Sequence, residues 1–311
     1  LDRCADEGIV VFNTPGANSN AVKELVICGL LLASRKVVQG ANWVQSLSGT
    51  PDIGPAAEKG KATYAGPEIM GKKLGVIGLG AIGWKVANAA VALGMDVIGY
   101  DPYLSDASKA ALDPEVAVVT LEEIFADADY ITVHVPLLDS TRSLINAETI
   151  AKMKDGVRIV NFARGELVDT AAMDAALTAG KVAAYVCDFA SEEMLAQPNA
   201  IVLPHLGAST PESEDNCAVM ACDEVSDFLE NGNIVNSVNF PAVSLGAKNG
   251  GPRLLVLAKA GVDVSARLAA QGVAVSANSG GTRGNYSAFL ADVDQVVSNV
   301  DGDGILAVRT F

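Results

Sequence analysis

Short apolar segments alternate with longer segments of helical periodicity through the middle of the chain. Strands that are buried on both faces read as continuous apolar runs, and their alternation with helices is typical of parallel βαβ units. The pattern therefore predicts an α/β fold with a doubly wound parallel sheet. The predicted strands are Leu74–Leu79, Asp96–Tyr100, Val116–Val119, Tyr130–Val135, Val157–Phe162, Ala183–Phe189 and Ala200–Leu203.

The region before these strands predicts one strand, Ile9–Phe12, and one long helix over residues 19–38. Residues 40–71 are less regular and contain prolines at positions 51, 55 and 67, which break regular structure. The chain opens at Leu1 in what reads as the end of a helix, followed at once by the strand. Because a domain seldom starts halfway through a βα unit, we expect the sequence to lack an N-terminal segment.

The region after the strands predicts a helix over residues 213–231 and a linker over residues 244–251, which are rich in glycine and small polar residues. Residues 252–311 are long enough for a small α+β domain. Its predicted elements are strands at Leu254–Leu257, Val273–Val275, Tyr286–Val293 and Ile305–Val308 and a helix at Ser265–Ala270.

The net charge of the chain argues against two classes of binding partner. A formal net charge of -15 would repel nucleic acid and anionic membrane surfaces, so we expect neither as a partner. The longest apolar stretch, Leu25–Ala33, is about half of the ~20 residues that span a bilayer. We expect it in a buried helix of its own lobe, with contact to a second protomer as the alternative.

The cysteines indicate a reducing compartment. There are five, an odd number, and no C-x-x-C pair occurs. This usage argues against a disulfide framework and against a zinc cluster, so we expect a cytoplasmic protein without a metal site.

The motif Gly78–Gly83, GLGAIG, lies at the end of a predicted strand and opens a predicted helix, Trp84–Leu93. In such a motif the first glycine permits a tight turn, the second lets the backbone approach a pyrophosphate, and the third lets helix and strand pack closely. The helix N-terminus adds unpaired N–H groups for the phosphates. Asp101 follows the next strand, where a carboxylate would bind both ribose hydroxyls and repel a 2′-phosphate. We therefore predict NAD as the cofactor.

Only two histidines occur, His134 and His205, and both lie at carboxyl ends of predicted strands, where open α/β sheets bind ligands. The small-residue turn after His205 would expose its imidazole, which could take a hydroxyl proton as a hydride leaves. Arg164 follows another strand and could bind a substrate carboxylate with two hydrogen bonds. Glu192 and Glu193 are both candidates to orient the imidazole. Together these groups predict oxidation of a 2-hydroxy acid.

Three blocks, Gly78–Gly83 with Asp101, Asn161–Gly165, and Pro204–Thr210, resemble the signature segments of the D-isomer-specific 2-hydroxyacid dehydrogenases. The blocks at 13–18 and 236–241 and the tail resemble the phosphoglycerate dehydrogenase branch. The resemblance implies a Rossmann NAD-binding domain, with Arg164 as carboxylate binder and His205 as acid/base. It favours Glu192 over Glu193, because the family glutamate lies three residues after a phenylalanine. It implies substrate contacts from Asn18, Arg164 and His205 and cofactor contacts from Gly78, Gly80, Ala81, Ile82, Gly83, Asp101, His134, Val135, Pro136, Thr141, Phe162, Ala163, Asp188 and Gly207.

The family fold also implies a domain division. Residues 1–17 and 211–243 would form part of a flavodoxin-like substrate lobe, and residues 18–210 the NAD-binding domain. The tail, residues 252–311, resembles an ACT domain, a βαββαβ module that often pairs up to bind an amino acid. Its first strand-to-helix turn, Ala258–Asp263, lacks the usual polar residues and Pro-Gly pair. We expect either an amino-acid effector site or a structural or dimerising role there, in a homodimer or homotetramer.

The resemblance implies 3-phosphoglycerate as the substrate, oxidised to 3-phosphohydroxypyruvate at the entry to serine biosynthesis. Relatives that act on glyoxylate, hydroxypyruvate or lactate would keep the same arginine, glutamate and histidine, so they are the first alternative. A non-catalytic NAD-sensing protein is the second, since one transcriptional corepressor family shares this fold and these residues.

Overall fold

Seven parallel strands form a single sheet in the computed structural model, which describes all 311 residues. They confirm the seven predicted strands, with bounds that differ by at most two residues at either end. The strands are β1 (Lys73–Ile77), β2 (Asp96–Tyr100), β3 (Ala117–Val118), β4 (Tyr130–Val133), β5 (Val157–Asn161), β6 (Val182–Cys187) and β7 (Ala200–Val202).

The order of strands across this sheet is β3-β2-β1-β4-β5-β6-β7. The chain thus leaves β1 toward one edge and returns to pair β4 against the other side of β1, which is the doubly wound topology that the sequence predicts. Ligands of such sheets bind at the carboxyl ends of the strands, where the order reverses. In this chain that point lies between β1 and β4.

Twelve α-helices and two 3₁₀ turns, Lys61–Tyr64 and Gly165–Leu167, complete the chain together with a second sheet. No helix is long and apolar enough to cross a membrane. The helices are α1 (Asp2–Asp6), α2 (Ser19–Arg35), α3 (Val37–Ser46), α4 (Ile53–Gly60), α5 (Gly83–Ala92), α6 (Asp106–Ala111), α7 (Leu121–Asp127), α8 (Ala147–Lys152), α9 (Thr170–Thr178), α10 (Glu192–Ala196), α11 (Pro211–Asn231) and α12 (Val264–Ala270).

Contacts between residues divide the chain into two compact units, Asn18–Glu214 and Leu1–Ala17 with Asp215–Phe311. In the first unit, two hydrophobic clusters cover the two faces of the parallel sheet. Neighbouring strand residues such as Ile159 and Val160 belong to opposite clusters, and both are fully buried. This two-sided burial explains why the strands read as continuous apolar runs.

Helix α2 covers one face of the sheet but ends earlier than predicted. Its inward positions recur at helical spacing and are buried, which makes burial in its own unit the correct interpretation for most of the apolar stretch. Gly29 allows close approach, since a Cβ there would lie 3.0 Å from the Phe162 ring. Lys36 adopts a left-handed conformation with φ of 47°, which ends α2. The predicted helix to residue 38 is therefore wrong, and α3 starts in a new direction.

The predicted strand Ile9–Phe12 is wrong. Only Phe12 is paired, through one isolated antiparallel bridge to Ser237. A strand needs a neighbouring strand along its length, and the chain offers one residue instead. The Phe12 side chain packs edge-on against Phe228, with 5.6 Å between ring centroids. This segment is therefore held by side-chain packing and by single hydrogen bonds to residues 236–239 instead of a strand ladder. The flavodoxin-like character of residues 1–17 and 211–243 stays a prediction.

The tail forms a four-stranded antiparallel sheet in the order β11-β8-β10-β9. One helix, α12, begins after Asp263, whose carboxylate accepts a hydrogen bond from the Ala266 amide. The second helix of a βαββαβ module is absent, because residues 294–304 contain turn-forming residues and end in glycines 302 and 304 with positive φ. The strands are β8 (Arg253–Lys259), β9 (Val275–Arg283), β10 (Tyr286–Val293) and β11 (Ile305–Thr310).

One face of the antiparallel sheet shares a core with the beginning of the chain and with the segment after α11. Leu255 and Leu257 of β8 are buried in one cluster with Ala5, Ile234 and Phe240. Burial of side chains of this size stabilises a fold by about 1.5–3 kcal/mol each. The tail therefore depends on residues far away in sequence for part of its core.

Candidate active site

A cavity of about 480 Å³ opens at the carboxyl ends of β4, β5 and β7 in the unit Asn18–Glu214. Both predicted catalytic residues on this sheet edge, Arg164 and His205, line it. Eight other predicted site residues also line the cavity, together with three residues that were not predicted. The lining residues are Asn18, Val22, Ile82, His134, Val135, Pro136, Leu137, Phe162, Ala163, Arg164, His205, Gly207 and Ala208.

The glycine-rich turn between β1 and α5 has the geometry that a pyrophosphate requires. Gly78 has φ of +94°, and a Cβ there would lie 2.7 Å from the His134 carbonyl oxygen. A Cβ on Gly83 would lie 1.8 Å from the Gly78 carbonyl oxygen, so this close contact of helix and turn admits only glycine. At Gly80, by contrast, nothing lies within 4 Å of the Cβ position. A ligand can therefore approach the backbone at that residue.

The amides of this turn are available for hydrogen bonds. Those of Gly80, Ala81 and Ile82 have no acceptor within the protein, and α5 begins without a side-chain cap. Unpaired N–H groups at a helix N-terminus bind phosphate oxygens and add the positive end of the helix dipole. The residues present thus fit the pyrophosphate of NAD.

Asp101 lies beside this turn at the end of β2. One carboxylate oxygen accepts a hydrogen bond of 2.9 Å from the Leu79 amide, and the other accepts one of 2.8 Å from the Tyr103 amide. Each oxygen keeps a second lone pair, so the fixed carboxylate can still accept hydrogen bonds from ribose hydroxyls. This arrangement fits the adenosine ribose of NAD and disfavours a 2′-phosphate.

His134 lies at the switch point between β1 and β4, half-buried in the cavity wall. Its Nε2 is 3.0 Å from the Thr132 hydroxyl oxygen. Burial lowers the pKa of His134 from 6.5 to about 4, because the charged form loses its hydration. His134 is therefore suited to form a neutral wall of the cofactor site, as the family resemblance implies, rather than to exchange protons.

The half-buried imidazole of His134 makes the fold sensitive to acid. Between its ordinary pKa of 6.5 and its pKa of about 4 in the protein, the unfolded chain binds a proton that the folded chain does not. The free energy of unfolding therefore falls as pH decreases through this window, by roughly 3 kcal/mol from this group at ~1.36 kcal/mol per pKa unit. Denaturant titrations of wild type and His134→Gln across the window should give the variant the shallower pH dependence. Equal slopes would contradict the expectation.

The turn after β5 presents Arg164. The fully buried Asn161 organises this turn, because its side-chain amide donates to the Arg164 carbonyl and its Oδ1 accepts from the Ala163 amide. The guanidinium is exposed and donates one hydrogen bond of 2.6 Å, to the Ala163 carbonyl. Its other donors are free to bind a carboxylate. This organising role of Asn161 was not predicted from the sequence.

His205 follows β7 with an exposed imidazole that forms a T-shaped contact with Phe189, at 5.3 Å between ring centroids and an interplanar angle of 80°. The neighbouring Asp188 is 4% exposed, and neither of its carboxylate oxygens has a hydrogen-bond partner in another residue. Burial raises the pKa of Asp188, and the nearby His205 and Arg164 act in the opposite direction. An unpartnered buried carboxylate beside both residues is costly and is typical of a group that awaits a ligand donor.

The two candidate glutamates lie at the start of α10, which Ser191 caps by accepting a hydrogen bond from the Met194 amide. Glu192 and Glu193 are both exposed, line none of the cavity and make no hydrogen bond to His205. The pKa of Glu193 is lowered by its own backbone amide and by the Ser191 hydroxyl. The role of Glu192 as orienting residue therefore stays a prediction, with Glu193 as its alternative.

Of two further predicted residues, Asn18 lines the cavity and Thr141 stabilises a neighbouring loop. Asn18 caps α2 without using its side chain, which is thus free toward the cavity. Thr141 lies outside the lining. Its hydroxyl donates a hydrogen bond of 2.7 Å to the Pro136 carbonyl, which holds the loop after β4 in place. The missed wall residues are Val22, Leu137 and Ala208. Val22 lies one helical turn after Asn18, and this i, i+4 spacing was the available signal.

Comparison with known proteins identifies the family. Residues 27–207 match the family model for the D-isomer specific 2-hydroxyacid dehydrogenase, NAD binding domain. The chain is 36% identical over 252 residues to a D-3-phosphoglycerate dehydrogenase of Bacillus subtilis, covering 78% of this chain and 45% of that protein. It is 38% identical over 234 residues to a hydroxypyruvate reductase of Thermotoga maritima, covering 72% of each. The chain thus spans about half the length of the phosphoglycerate dehydrogenases that it matches, 45–47%.

Solved structures show the same relationship. A glyoxylate reductase from Paecilomyes thermophila superposes with a TM-score of 0.64 at 32% identity, over 76% of this chain and 70% of that one. A D-lactate dehydrogenase from Aquifex aeolicus, complexed with NAD and lactic acid, superposes with a TM-score of 0.60 at 28% identity, over 74% and 72%. With the family model covering more than half of its 311 residues, the chain belongs to the D-isomer-specific 2-hydroxyacid dehydrogenases, whose NAD-binding domain it contains.

Proposed function

We propose that this chain catalyses the NAD-dependent oxidation of D-3-phosphoglycerate to 3-phosphohydroxypyruvate. The observation that carries the proposal is that one cavity brings together an exposed imidazole, His205, an exposed guanidinium, Arg164, and the edge of a glycine-rich turn with free amides. A 2-hydroxy acid needs a group for its carboxylate, a group for its hydroxyl proton and an acceptor for its hydride. Bound NAD would supply the hydride acceptor.

Arg164 binds and orients the acid. A guanidinium can donate two parallel hydrogen bonds to a carboxylate, and its rigid fork fixes the plane of the substrate. With the carboxylate held, the hydroxyl-bearing carbon next to it has one face toward the cofactor side of the cavity. Fixing this orientation lowers the entropic part of the barrier.

His205 moves the proton. Its neutral imidazole accepts the hydroxyl proton while the C–H bond breaks, so the alcohol becomes a ketone and the histidine becomes imidazolium. In the reverse direction the imidazolium returns that proton to the carbonyl oxygen. Glu192, or Glu193 in its place, would stabilise the imidazolium after a shift of the α10 end toward His205. Asp188 lies close to both catalytic side chains, and its two unpartnered oxygens are suited to accept hydrogen bonds from a nicotinamide carboxamide.

The choice of 3-phosphoglycerate rests on relatives and on the tail. Several relatives named D-3-phosphoglycerate dehydrogenase are 35–36% identical over 78–79% of this chain. The antiparallel sheet β8–β11 has an ACT-like strand order, and it accompanies the NAD domain here. A relative named hydroxypyruvate reductase and a structure named glyoxylate reductase support the alternative of an unphosphorylated substrate. Entry into serine biosynthesis follows from the first choice.

A homodimer or homotetramer is part of the same proposal, and the tail has either an amino-acid effector site or a structural or dimerising role. In the tail, Asp263 is already engaged as the cap of α12, and Gly261 has φ of +86°. The turn therefore offers an effector few free polar side chains. This favours a structural or dimerising role for the tail over an effector site.

The experiment uses the complete gene product that contains this chain. NADH formation is measured with 3-phosphoglycerate, D-glycerate and D-lactate, and NADH consumption with hydroxypyruvate and glyoxylate. Preferential turnover of the phosphorylated acid supports the proposal. Preference for an unphosphorylated acid keeps the chemistry and overturns the substrate. Tight NADH binding without turnover of any acid overturns the enzyme and favours an NAD-sensing protein.

A further inference from the structure

Phe189 connects the hydrophobic core to the imidazole of His205. It is half-buried at the end of β6 and packs against the core cluster that contains the neighbouring Cys187. Its carbonyl oxygen accepts a hydrogen bond from the Cys187 thiol at 3.6 Å. A Cβ at Gly165, the residue after Arg164, would lie 3.3 Å from the Phe189 Cβ. Phe189 is thus held by the core and by the Cys187 thiol, and its Cβ lies close to the turn that carries Arg164.

The Phe189 ring also contacts the imidazole of His205. The centroid distance of 5.3 Å and the angle of 80° describe an edge-to-face pair, the arrangement that the aromatic quadrupole favours. No hydrogen bond within the protein reaches the imidazole, and the two candidate glutamates make none. In the protein without ligands, the His205 ring is therefore restricted by this aromatic contact and by its electrostatic interaction with Asp188.

Phe189 does not line the cavity that contains Arg164 and His205. It lines a second cavity of about 560 Å³ together with Gly165 and Ser191. The side chain thus contacts the imidazole from outside the cavity in which the substrate and the cofactor are proposed to bind.

We propose that Phe189 is a positioning residue that holds His205 in one orientation for proton transfer; this rests on the proposed role of His205. A histidine released from such a contact has three staggered χ1 wells and a roughly two-fold χ2, or about six orientations. Phe189→Leu should therefore lower kcat by about three- to tenfold, since a productive orientation is populated for a smaller fraction of the time. The KM for NAD should not change, because Phe189 does not line the cofactor side.

The first test observes His205 directly and needs no turnover. The chain has only two histidines, so ¹³C-labelled histidine gives two sets of ring signals, which His205→Ala assigns. Phe189→Leu should remove the ring-current shift of the His205 signals and broaden or average them, while those of the half-buried His134 stay in place. Phe189→Tyr, which keeps the ring, should restore the wild-type His205 signals. Unchanged His205 signals in Phe189→Leu would overturn the proposal.

The second test distinguishes a loss of His205 positioning from a general loss of protein stability. Phe125→Leu makes the same change in the same core cluster at a side chain that is 3% exposed and does not contact His205. It should destabilise the protein and leave the His205 signals and kcat at their wild-type values. Equal loss of kcat in both leucine variants would overturn the positioning role. Failure of the proposed function is distinguishable, because the wild-type protein would then turn over no acid, or His205→Ala would retain turnover, whereas the ring signals would still report the contact between Phe189 and His205.

Discussion

Replacing His205 by alanine is expected to lower kcat by about 10²–10⁴, the usual contribution of a positioned general acid or base. No other side chain on the cavity can take its place. His134, the second histidine of the chain, is half-buried with a pKa of about 4 and does not accept a proton near neutral pH. The Arg164 guanidinium offers hydrogen-bond donors and no acceptor. The proton would have to pass to water.

Binding of NADH should survive this change, because the glycine-rich turn and Asp101 lie at other strand ends. Fluorescence titration of NADH checks the binding, and initial rates with saturating cofactor check kcat. Leu206→Ala is the matched control, since this neighbouring side chain is 47% exposed and carries no chemistry. Turnover within threefold of wild type in His205→Ala would remove His205 from the mechanism.

Gly83→Ala is expected to lower the free energy of unfolding by more than about 4 kcal/mol, a size that marks the loss of a specific structural feature. The added methyl would lie 1.8 Å from the Gly78 carbonyl oxygen, so the turn and the start of α5 cannot both keep their positions. Backbone cannot swing aside as a flexible side chain does. Denaturant unfolding of the variant measures the loss, and failure to fold would be its extreme form.

Two other glycines give the comparison. Gly80→Ala should leave stability nearly unchanged, because nothing lies within 4 Å of its Cβ position, yet weaken NADH binding by crowding the pyrophosphate. Gly54→Ala, also open and within α4, should affect neither property adversely. Wild-type stability of Gly83→Ala would show that the close contact in the turn relaxes easily. Unchanged NADH affinity in Gly80→Ala would place the pyrophosphate elsewhere.

The parallel sheet was predictable because its burial is two-sided. An uninterrupted apolar run such as Val157–Phe162 is the direct consequence of supplying both hydrophobic clusters from one strand. The predictions failed where the outcome depends on distant partners. Ile9–Phe12 has strand composition but finds one bridging residue, Ser237. The break at Lys36 carries no glycine or proline signal and follows from the left-handed backbone at that residue.

The candidate site was predictable to the extent that it lies at strand ends. Arg164 and His205 each lie just after a strand, so the sheet edge at which they lie is fixed once the sheet is known. Val22 reaches the cavity from the inner face of a helix, and its direction depends on how α2 packs on the sheet. The choice between Glu192 and Glu193 depends on one residue of spacing in a short helix, which sequence periodicity does not resolve.

Arg253 fixes the segment between α11 and β8 to the antiparallel sheet. The residue is 1% exposed, pairs with Asp292, and donates hydrogen bonds to the carbonyls of Asn231 and Gly246. Residues 244–251 are therefore fixed to β8 through the Gly246 carbonyl, although their composition is typical of a flexible linker. Cutting the gene before Arg253 would not release a module. It would leave two carbonyls without their donor and bare the apolar surface around Phe240, so a shortened protein would tend to aggregate.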